Sequence, residues 1–282
     1  ELDTLVISRT TQQLIPNVYL DKYLEDLNKG VSIEKVLYQI SGAYMNGVNE
    51  RKYNTIPTEF SKMKDNIVVR IVGKESNQKI QEIAPCRIEH DLLVTFRWIA
   101  SHDEEGLGSA LVTNAMLDRW RGEQPIDLDD LYQLAIDNTK RLFPALITTM
   151  EEMIFGLLDS NNEFDDHDEV TEHFANKKQE DSIPMYVITN QEKLNGATVI
   201  LYPGILEEMG VKLNSDYFVL PSSIHEVIIV ADNERVDLEQ LKSMVVSINK
   251  EMVDTEEVLS NSVFRYDRKT QQMKEISFDM GI

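Results

Sequence analysis

Two apolar runs joined by a short polar turn make up the stretch Tyr217-Phe218-Val219-Leu220-Pro221-Ser222-Ser223-Ile224-His225-Glu226-Val227-Ile228-Ile229-Val230. Aromatic and β-branched runs predict two antiparallel strands, and Pro followed by two Ser residues is typical of a turn. Farther along, Asp237 stands before Leu238-Glu239-Gln240 as the N-cap of a helix. The segment 217–252 is therefore predicted to form a strand-turn-strand-helix unit.

An earlier part of the chain carries a similar pattern. Strands are predicted at 92–100 and 109–112, with a polar turn at 101–108, and Asp127 is the expected N-cap of a helix at 128–142. Duplication of one unit explains the likeness, and so does independent use of the same few helix-capping residues. The two units predict an α+β protein with mostly antiparallel sheets and packed helices.

The remaining elements follow from residue spacing and composition. Apolar residues at helical spacing predict further helices; these lie at 18–27, 33–44, 147–158 and 255–259. Runs rich in β-branched and aromatic residues predict further strands; these lie at 67–72, 185–189, 263–266 and 273–278.

The sharpest change in composition is an acidic, polar segment at 159–182. Polar segments of this kind connect compact parts of a chain, because a packed core needs apolar side chains. We interpret it as an exposed connector between an N-terminal α+β part, 1–158, and a C-terminal α+β part, 183–282.

The connector also raises the question of metal binding. Four residues alternate as the ligands of an EF-hand calcium loop do; they are Asp159, Asn161, Glu163 and Asp165. That loop would need Gly where Phe164 stands and a bidentate Glu where Val170 stands. His167 and His173 are six residues apart, which does not place two ligands on one helical face. The segment is therefore interpreted as a solvated linker without a metal site.

Composition limits the possible partners. The chain of 282 residues has 49 Asp and Glu against 28 Lys and Arg, a net charge of -21, which disfavours nucleic acid and anionic membranes. The single cysteine, Cys86, excludes an intrachain disulfide and lies in an apolar stretch typical of a buried, inert thiol. No apolar run reaches the ~18 residues of a membrane span, and neither a basic signal region nor an initiating Met is present. We expect a cytoplasmic protein whose N-terminus is trimmed.

The turn at 221–226 is the best candidate for a catalytic site. It brings Ser222, Ser223, His225 and Glu226 together, and Asn190 ends a predicted strand that could lie nearby. A serine nucleophile needs a base, a group that orients the base and an oxyanion hole, and no Gly-x-Ser-x-Gly elbow is present. In the alternative interpretation the hydroxyls bond to the turn backbone and the imidazole bonds to a neighbouring element. No glycine-rich phosphate loop is present, so no cofactor is expected.

Several short strings together indicate a family. They are Pro16-Asn17-Val18-Tyr19-Leu20, Asn138-Thr139 with Pro144, Tyr186-Val187-Ile188-Thr189-Asn190, Leu220-Pro221-Ser222-Ser223-Ile224-His225-Glu226 and Tyr266-Asp267-Arg268. In this combination the chain resembles an uncharacterised family of soluble proteins from Gram-positive gut bacteria, and the likeness covers nearly its whole length. The resemblance implies a bacterial cytosolic protein with no established activity, cofactor or catalytic residues, whose relatives usually have additional N-terminal sequence.

Two functions remain open from the sequence. The first is a non-enzymatic protein that binds another protein, scaffolds an assembly or associates with itself, because no catalytic constellation is recognisable and the chain is acidic. The second is a hydrolase that uses the 221–226 turn, with His225 within hydrogen-bond reach of a hydroxyl or carboxylate.

Overall fold

The computed structural model describes residues 4–6, 17–49, 57–103, 106–153, 185–221, 223–233, 235–251 and 253–276. The chain forms two compact units, Glu1–Asn66 with Trp98–Ala110, and Ile67–Arg97 with Leu111–Ile282. The predicted connector at 159–182 lies outside the described residues, so the division into 1–158 and 183–282 stays a prediction.

Within the described ranges, the larger unit contains a six-stranded antiparallel sheet. Its strands, in spatial order, are Gln272–Glu275 (β12), Phe264–Asp267 (β11), Tyr217–Leu220 (β9), Val227–Ala231 (β10), Met185–Asn190 (β8) and Ala145–Thr149 (β7). The predicted hairpin of β9 and β10 is present, with Ile229 opposite Val219.

The two central strands are apolar because both of their faces are covered. All four residues of β9 are buried, and the helix Leu238–Glu251 (α8) packs its Val245 against Phe218 and Val230. Burying such side chains contributes ~1.5–3 kcal/mol each to the stability of the fold. This core fixes the position of the turn between β9 and β10.

A second sheet is built around the long strand Leu92–Asp103 (β5). Ile67–Gly73 (β3) and Cys86–Glu89 (β4) pair with it, and so does Gly106–Leu111 (β6). The polar turn predicted at 101–108 is therefore shorter than expected, since both strands extend into it.

The edge of β3 that does not pair with β5 is closed by side chains. In the helix Leu128–Leu142 (α6), the Asn138 amide donates to the Ile67 carbonyl (2.9 Å) and the Thr139 hydroxyl accepts from the Val69 amide (2.9 Å). The Thr198 hydroxyl, in the 3₁₀ helix Gly196–Leu201, accepts from the Ile71 amide (3.3 Å). An open strand edge could pair with a strand of another chain. These side chains prevent such pairing because they form hydrogen bonds with the N–H and C=O groups on this edge of β3.

The other helices and the first hairpin have the following bounds: Thr4–Val6 (β1), Asn17–Tyr19 (β2), Asp21–Asn28 (α1), Ile33–Asn49 (α2), Phe60–Met63 (α3), Gln78–Ile83 (α4), Asn114–Glu123 (α5) and Ile205–Leu213 (α7). The predicted N-cap at Asp127 is confirmed, because its carboxylate accepts from the Asp130 amide at 2.8 Å in a capping box. The predicted α+β class with antiparallel sheets and packed helices is confirmed as well. No described helix combines the length and apolar character needed to cross a membrane.

Three local predictions are wrong. The helix predicted at 147–158 begins instead at Met150, because the residues before it form β7 and pair with β8. The helix predicted at 18–27 begins at Asp21, because Val18 pairs with Leu5 in a strand. The segment 255–259 is a turn and an isolated bridge rather than a helix, since Val258 pairs with Ser223.

Candidate functional site at the β9–β10 turn

The turn between β9 and β10 lies between two other segments of the larger unit. The Ile224 amide donates to the Glu257 carbonyl (2.9 Å), and the Ala197 amide donates to the Ile224 carbonyl (3.1 Å). Ser223 forms an antiparallel bridge with Val258. The turn is therefore fixed through its backbone, to the 3₁₀ helix on one side and to the 254–258 segment on the other.

His225 contacts three segments. Its Nδ1 accepts from the Asn195 amide (3.3 Å), its Nε2 lies 3.1 Å from Glu257 Oε1, and its carbonyl accepts from the Thr189 hydroxyl (2.7 Å). The side chain is 22% exposed, and that of Glu257 is 42% exposed. Both ring nitrogens thus have protein partners, neither of which is a hydroxyl.

Ser223 and Glu226 support the same turn. The Ser223 hydroxyl, in a residue that is 5% exposed, accepts from the His225 amide at 2.9 Å. Burial raises the pKa of the Glu226 carboxyl, the neighbouring His225 and a hydrogen bond with Ser223 oppose that rise, and the Glu257 carboxylate adds to it. Ser222 lies outside the described residues.

Asn190 is 3% exposed and shapes the loop that follows β8. Its Nδ2 donates to the Leu194 carbonyl (2.9 Å) and its Oδ1 accepts from the Leu194 amide (3.3 Å). Beyond this loop, Gly196 lies so close to Thr189, Asn190 and His225 that a Cβ there would be 2.5 Å from the His225 carbonyl oxygen and 2.7 Å from the Asn190 nitrogen. Only glycine fits at this close approach of backbones.

The structure therefore brings four of the candidate residues together: Ser223, His225, Glu226 and Asn190. Their hydrogen bonds join the turn, the 191–195 loop and the 254–258 segment. Ser223 bonds to the backbone of His225 and not to its ring, so these two residues do not form the nucleophile–base pair of a serine hydrolase.

Two partners of His225 were missed from the sequence. Glu257 stood in a segment expected to be helical, and the contact of Asn195 is made by its backbone amide, which no side-chain pattern reveals. His225 and Glu257 are 32 residues apart, and they are brought together by the bridge between Ser223 and Val258 and by the backbone hydrogen bond from Ile224 to Glu257.

A groove with a volume of about 570 Å³ lies elsewhere in the larger unit, lined by residues of α4, the β4–β5 turn and β12. Asp91 is held there through Oδ2 by the hydroxyls of Ser260 and Ser262, while its Oδ1 is buried without a hydrogen-bond partner among the described residues. Ser262 also donates to Glu275 (2.7 Å). The described residues contain no group of three His, Cys, Asp or Glu side chains able to hold a metal ion.

Cys86 is half-buried in β4 rather than fully buried as expected. Burial raises the pKa of its thiol. The protonated thiol is a poor nucleophile, which agrees with the interpretation of Cys86 as an inert residue, and its reactivity stays a prediction.

A model of one protein family matches residues 1–268, which include the β9–β10 turn. The chain belongs to DUF5688, a family of unknown function. No curated protein and no solved structure matches it. The predicted membership of an uncharacterised family is confirmed, while the bacterial origin of the chain and the diagnostic value of its Leu-Pro-Ser-Ser-Ile-His-Glu string stay predictions.

Proposed function

We propose that this member of DUF5688 acts by binding another protein rather than by catalysis. The observation that carries the proposal is the exposed apolar surface of α1 and α2, the α1–α2 hairpin of the smaller unit. Large apolar side chains are exposed there; they are Leu24 (56%), Leu27 (36%), Ile33 (63%), Leu37 (57%) and Tyr38 (81%). Several large apolar side chains left exposed on two neighbouring helices are typical of interaction surfaces.

The spacing of these residues on α2 describes one apolar stripe that is only partly covered. Ile33, Val36, Leu37 and Ile40 follow the i, i+3, i+4, i+7 pattern of one helical face. Val36 is 2% exposed and Ile40 is half-buried, whereas Ile33 and Leu37 are 63% and 57% exposed. The fold therefore covers one edge of the stripe and leaves the other edge, Ile33 and Leu37, for a partner.

A different protein is a better partner than a second copy. Two chains that each carry a net charge of -21 repel each other, whereas a neutral or basic protein is not repelled. The apolar surface supplies the contact area, and aromatic residues such as Tyr38 are frequent binding hot spots.

The hydrolase alternative has less support. His225 could act as a general base only after losing its contact with Asn195 or Glu257, because each ring nitrogen already has a partner. Hydrolysis of p-nitrophenyl acetate above the uncatalysed rate, abolished by His225→Asn, would nevertheless favour it over protein binding.

We further propose a bacterial, cytoplasmic setting for the protein. The resemblance described above supports a bacterial origin. The single cysteine supports a reducing compartment, since secreted proteins commonly use disulfides.

The test uses the full chain with an affinity tag and a lysate of the organism that encodes it. Wild type is compared with the double variant Leu37→Gln/Tyr38→Ser and with Val211→Gln, which alters a 69% exposed residue on α7. We expect a protein whose recovery, measured by quantitative mass spectrometry, falls at least about tenfold for the double variant and is unchanged for the control.

Equal recovery of every retained protein by all three chains would refute binding through this surface. Light scattering over a range of concentrations provides the second readout. A dimer that the double variant abolishes would show that the occupant of the surface is a second copy and would contradict the proposed heterologous partner.

A further inference from the structure

The contacts of His225 determine which of its ring nitrogens carries the proton. Nδ1 faces the Asn195 amide at 3.3 Å and must accept, so it carries no hydrogen in the neutral ring. The hydrogen is therefore on Nε2, where it donates to Glu257 Oε1 at 3.1 Å. We propose that His225 is a proton-controlled latch, which holds the Asn195 end of the 191–195 loop when the ring is neutral and releases that end when the ring is protonated.

Protonation changes the two contacts in opposite ways. An imidazolium carries hydrogen on both nitrogens, so Nδ1–H would point at the Asn195 N–H and two donors would oppose each other. The hydrogen bond to the Glu257 carboxylate becomes an ion pair in which both partners are charged, so it gains strength. Protonation of the ring therefore breaks its hydrogen bond to the 191–195 loop and leaves its bond to the 254–258 segment.

Charged groups face the ring from its own turn and from one neighbouring segment. Glu226 interacts with it from the turn and Glu257 from the 254–258 segment, and both carboxylates attract an imidazolium. The 191–195 loop contacts the ring through the Asn195 backbone amide, and its charged side chains, Glu192 and Lys193, are exposed, as are those of Asp254 and Glu256 beyond Glu257. From β8, the Thr189 hydroxyl reaches the backbone of His225 and does not titrate.

The loop is held in a conformation that depends on its contacts. Lys193 and Asn195 both have positive φ, 54° and 53°, a region that residues other than glycine rarely occupy. Asn190 secures Leu194 from one side, and His225 secures Asn195 from the other. Loss of the second contact leaves the left-handed Asn195 without the bond to His225, so the loop gains freedom at Asn195 while Asn190 still holds Leu194.

The backbone of the turn itself stays in place when the latch opens. The Ala197 amide still bonds to the Ile224 carbonyl, and the Thr189 hydroxyl still bonds to the His225 carbonyl. The predicted change is therefore local to the 191–195 loop and is not an unfolding of the sheet. This device does not depend on the partner surface of the α1–α2 hairpin.

The experiment measures hydrogen exchange of individual amides in the full chain between pH 8 and pH 5, corrected for intrinsic exchange. We expect the protection of the Asn195 amide to fall about tenfold on acidification, the effect of losing one hydrogen bond, while the Leu194 amide keeps its protection. Nitrogen chemical shifts of the imidazole should show hydrogen on Nε2 at pH 8. Hydrogen on Nδ1 at pH 8, or equal loss of protection at both amides, would overturn the latch.

Two variants separate the latch from a general effect of acid. In His225→Asn, the side-chain oxygen can accept from the Asn195 amide in place of Nδ1 and does not titrate, so the protection should persist at pH 5. In Glu257→Gln, the acceptor remains and its charge is removed, so the loss of protection should move to lower pH. Two results would contradict the proposal. One is that the Asn195 amide in His225→Asn loses protection with the same pH dependence as in wild type. The other is that the loss of protection in Glu257→Gln occurs at the same pH as in wild type.

Discussion

The β9–β10 turn and the α1–α2 hairpin direct their side chains in opposite ways. In the turn, Ser223 and His225 point toward neighbouring segments, and their polar atoms have partners within the chain. In the hairpin, Leu37 and Tyr38 point away from the chain and are 57% and 81% exposed. The residues that look catalytic in the sequence form hydrogen bonds within the fold, whereas the helices that look like ordinary core elements carry exposed apolar side chains.

The difference has an energetic reason. A buried polar group without a partner destabilises the fold by about 1–3 kcal/mol, so the turn gains stability from every hydrogen bond that it makes. An exposed leucine destabilises the fold little, and covering it with a partner makes the free energy of binding more favourable. Substitutions in the two regions should therefore affect different quantities, namely stability in the turn and binding in the hairpin.

The largest effect on stability is expected for Gly196→Ala. The added Cβ would lie 2.5 Å from the His225 carbonyl oxygen and 2.7 Å from the Asn190 nitrogen, and neither backbone atom can move without disturbing β8 or the turn. We expect a loss of about 3 kcal/mol in the free energy of unfolding, measured by urea titration with tryptophan fluorescence.

Gly122→Ala is the matched control for that substitution. It lies in α5, and a Cβ there meets no atom within 4 Å. Alanine is favoured over glycine in helices, so this variant should be unchanged or more stable by up to about 1 kcal/mol. Equal stability of the two variants would mean that the turn is not packed as closely as described.

Local signals made much of the fold predictable. The apolar runs of β9 and β10 and the N-cap of α6 at Asp127 are short-range features, and the structure has them where the sequence placed them. The strand β7 was missed because its pairing with β8, 40 residues farther along, outweighs the helical spacing of its apolar residues. Strand pairing over such distances leaves no local signal.

The candidate site was predictable only as a list of residues. The sequence placed Ser223, His225 and Glu226 in one turn, and the interpretation that the imidazole bonds to a neighbouring element agrees with its contacts. It could not identify Asn195 or Glu257, because a backbone amide and a distant carboxylate are brought to the ring by the tertiary fold.

A smaller effect is expected for Thr189→Val, which preserves shape and removes the hydroxyl. Thr189 is 1% exposed and donates to the His225 carbonyl at 2.7 Å, so the variant leaves a buried carbonyl without this donor. We expect a loss of about 1–2 kcal/mol in the free energy of unfolding. Thr148→Val, on the adjacent strand β7, removes an exposed contact with Glu152 and should cost less than about 0.5 kcal/mol; similar costs would contradict a structural role for the turn.

Glu226→Gln should increase stability at neutral pH. Burial raises the pKa of Glu226 in the fold, so the folded chain holds this proton more tightly than the unfolded chain does. Above the folded-state pKa the fold carries the full cost of the buried charge, and below the unfolded value of 4.5 both states are protonated and the cost vanishes. Because the carboxyl is partly exposed to screening solvent, we expect a gain of about 0.5–1 kcal/mol.

The pH dependence of that gain is the decisive measurement. The difference in unfolding free energy between Glu226→Gln and wild type should be constant above the raised pKa and shrink as the pH falls toward 4.5. Glu256→Gln, at an exposed position in the adjoining segment, is the control and should show no such trend. A glutamine variant less stable than wild type at pH 7 would mean that the Glu226 carboxylate forms favourable contacts that exceed its burial cost.

The smallest effect on stability is expected in the hairpin, where neighbouring residues of α2 provide their own control. Leu37→Gln and Tyr38→Ser should each change the free energy of unfolding by less than about 0.5 kcal/mol, because both side chains are mostly exposed and the replacements keep comparable helix propensity. Val36→Ala, at a position only 2% exposed, should cost about 1 kcal/mol. If Leu37→Gln is as costly as Val36→Ala in the same urea titration, Leu37 packs within the protein. Leu37 would then stabilise the fold, as the residues of the turn do, and the proposed partner surface would lose its central residue.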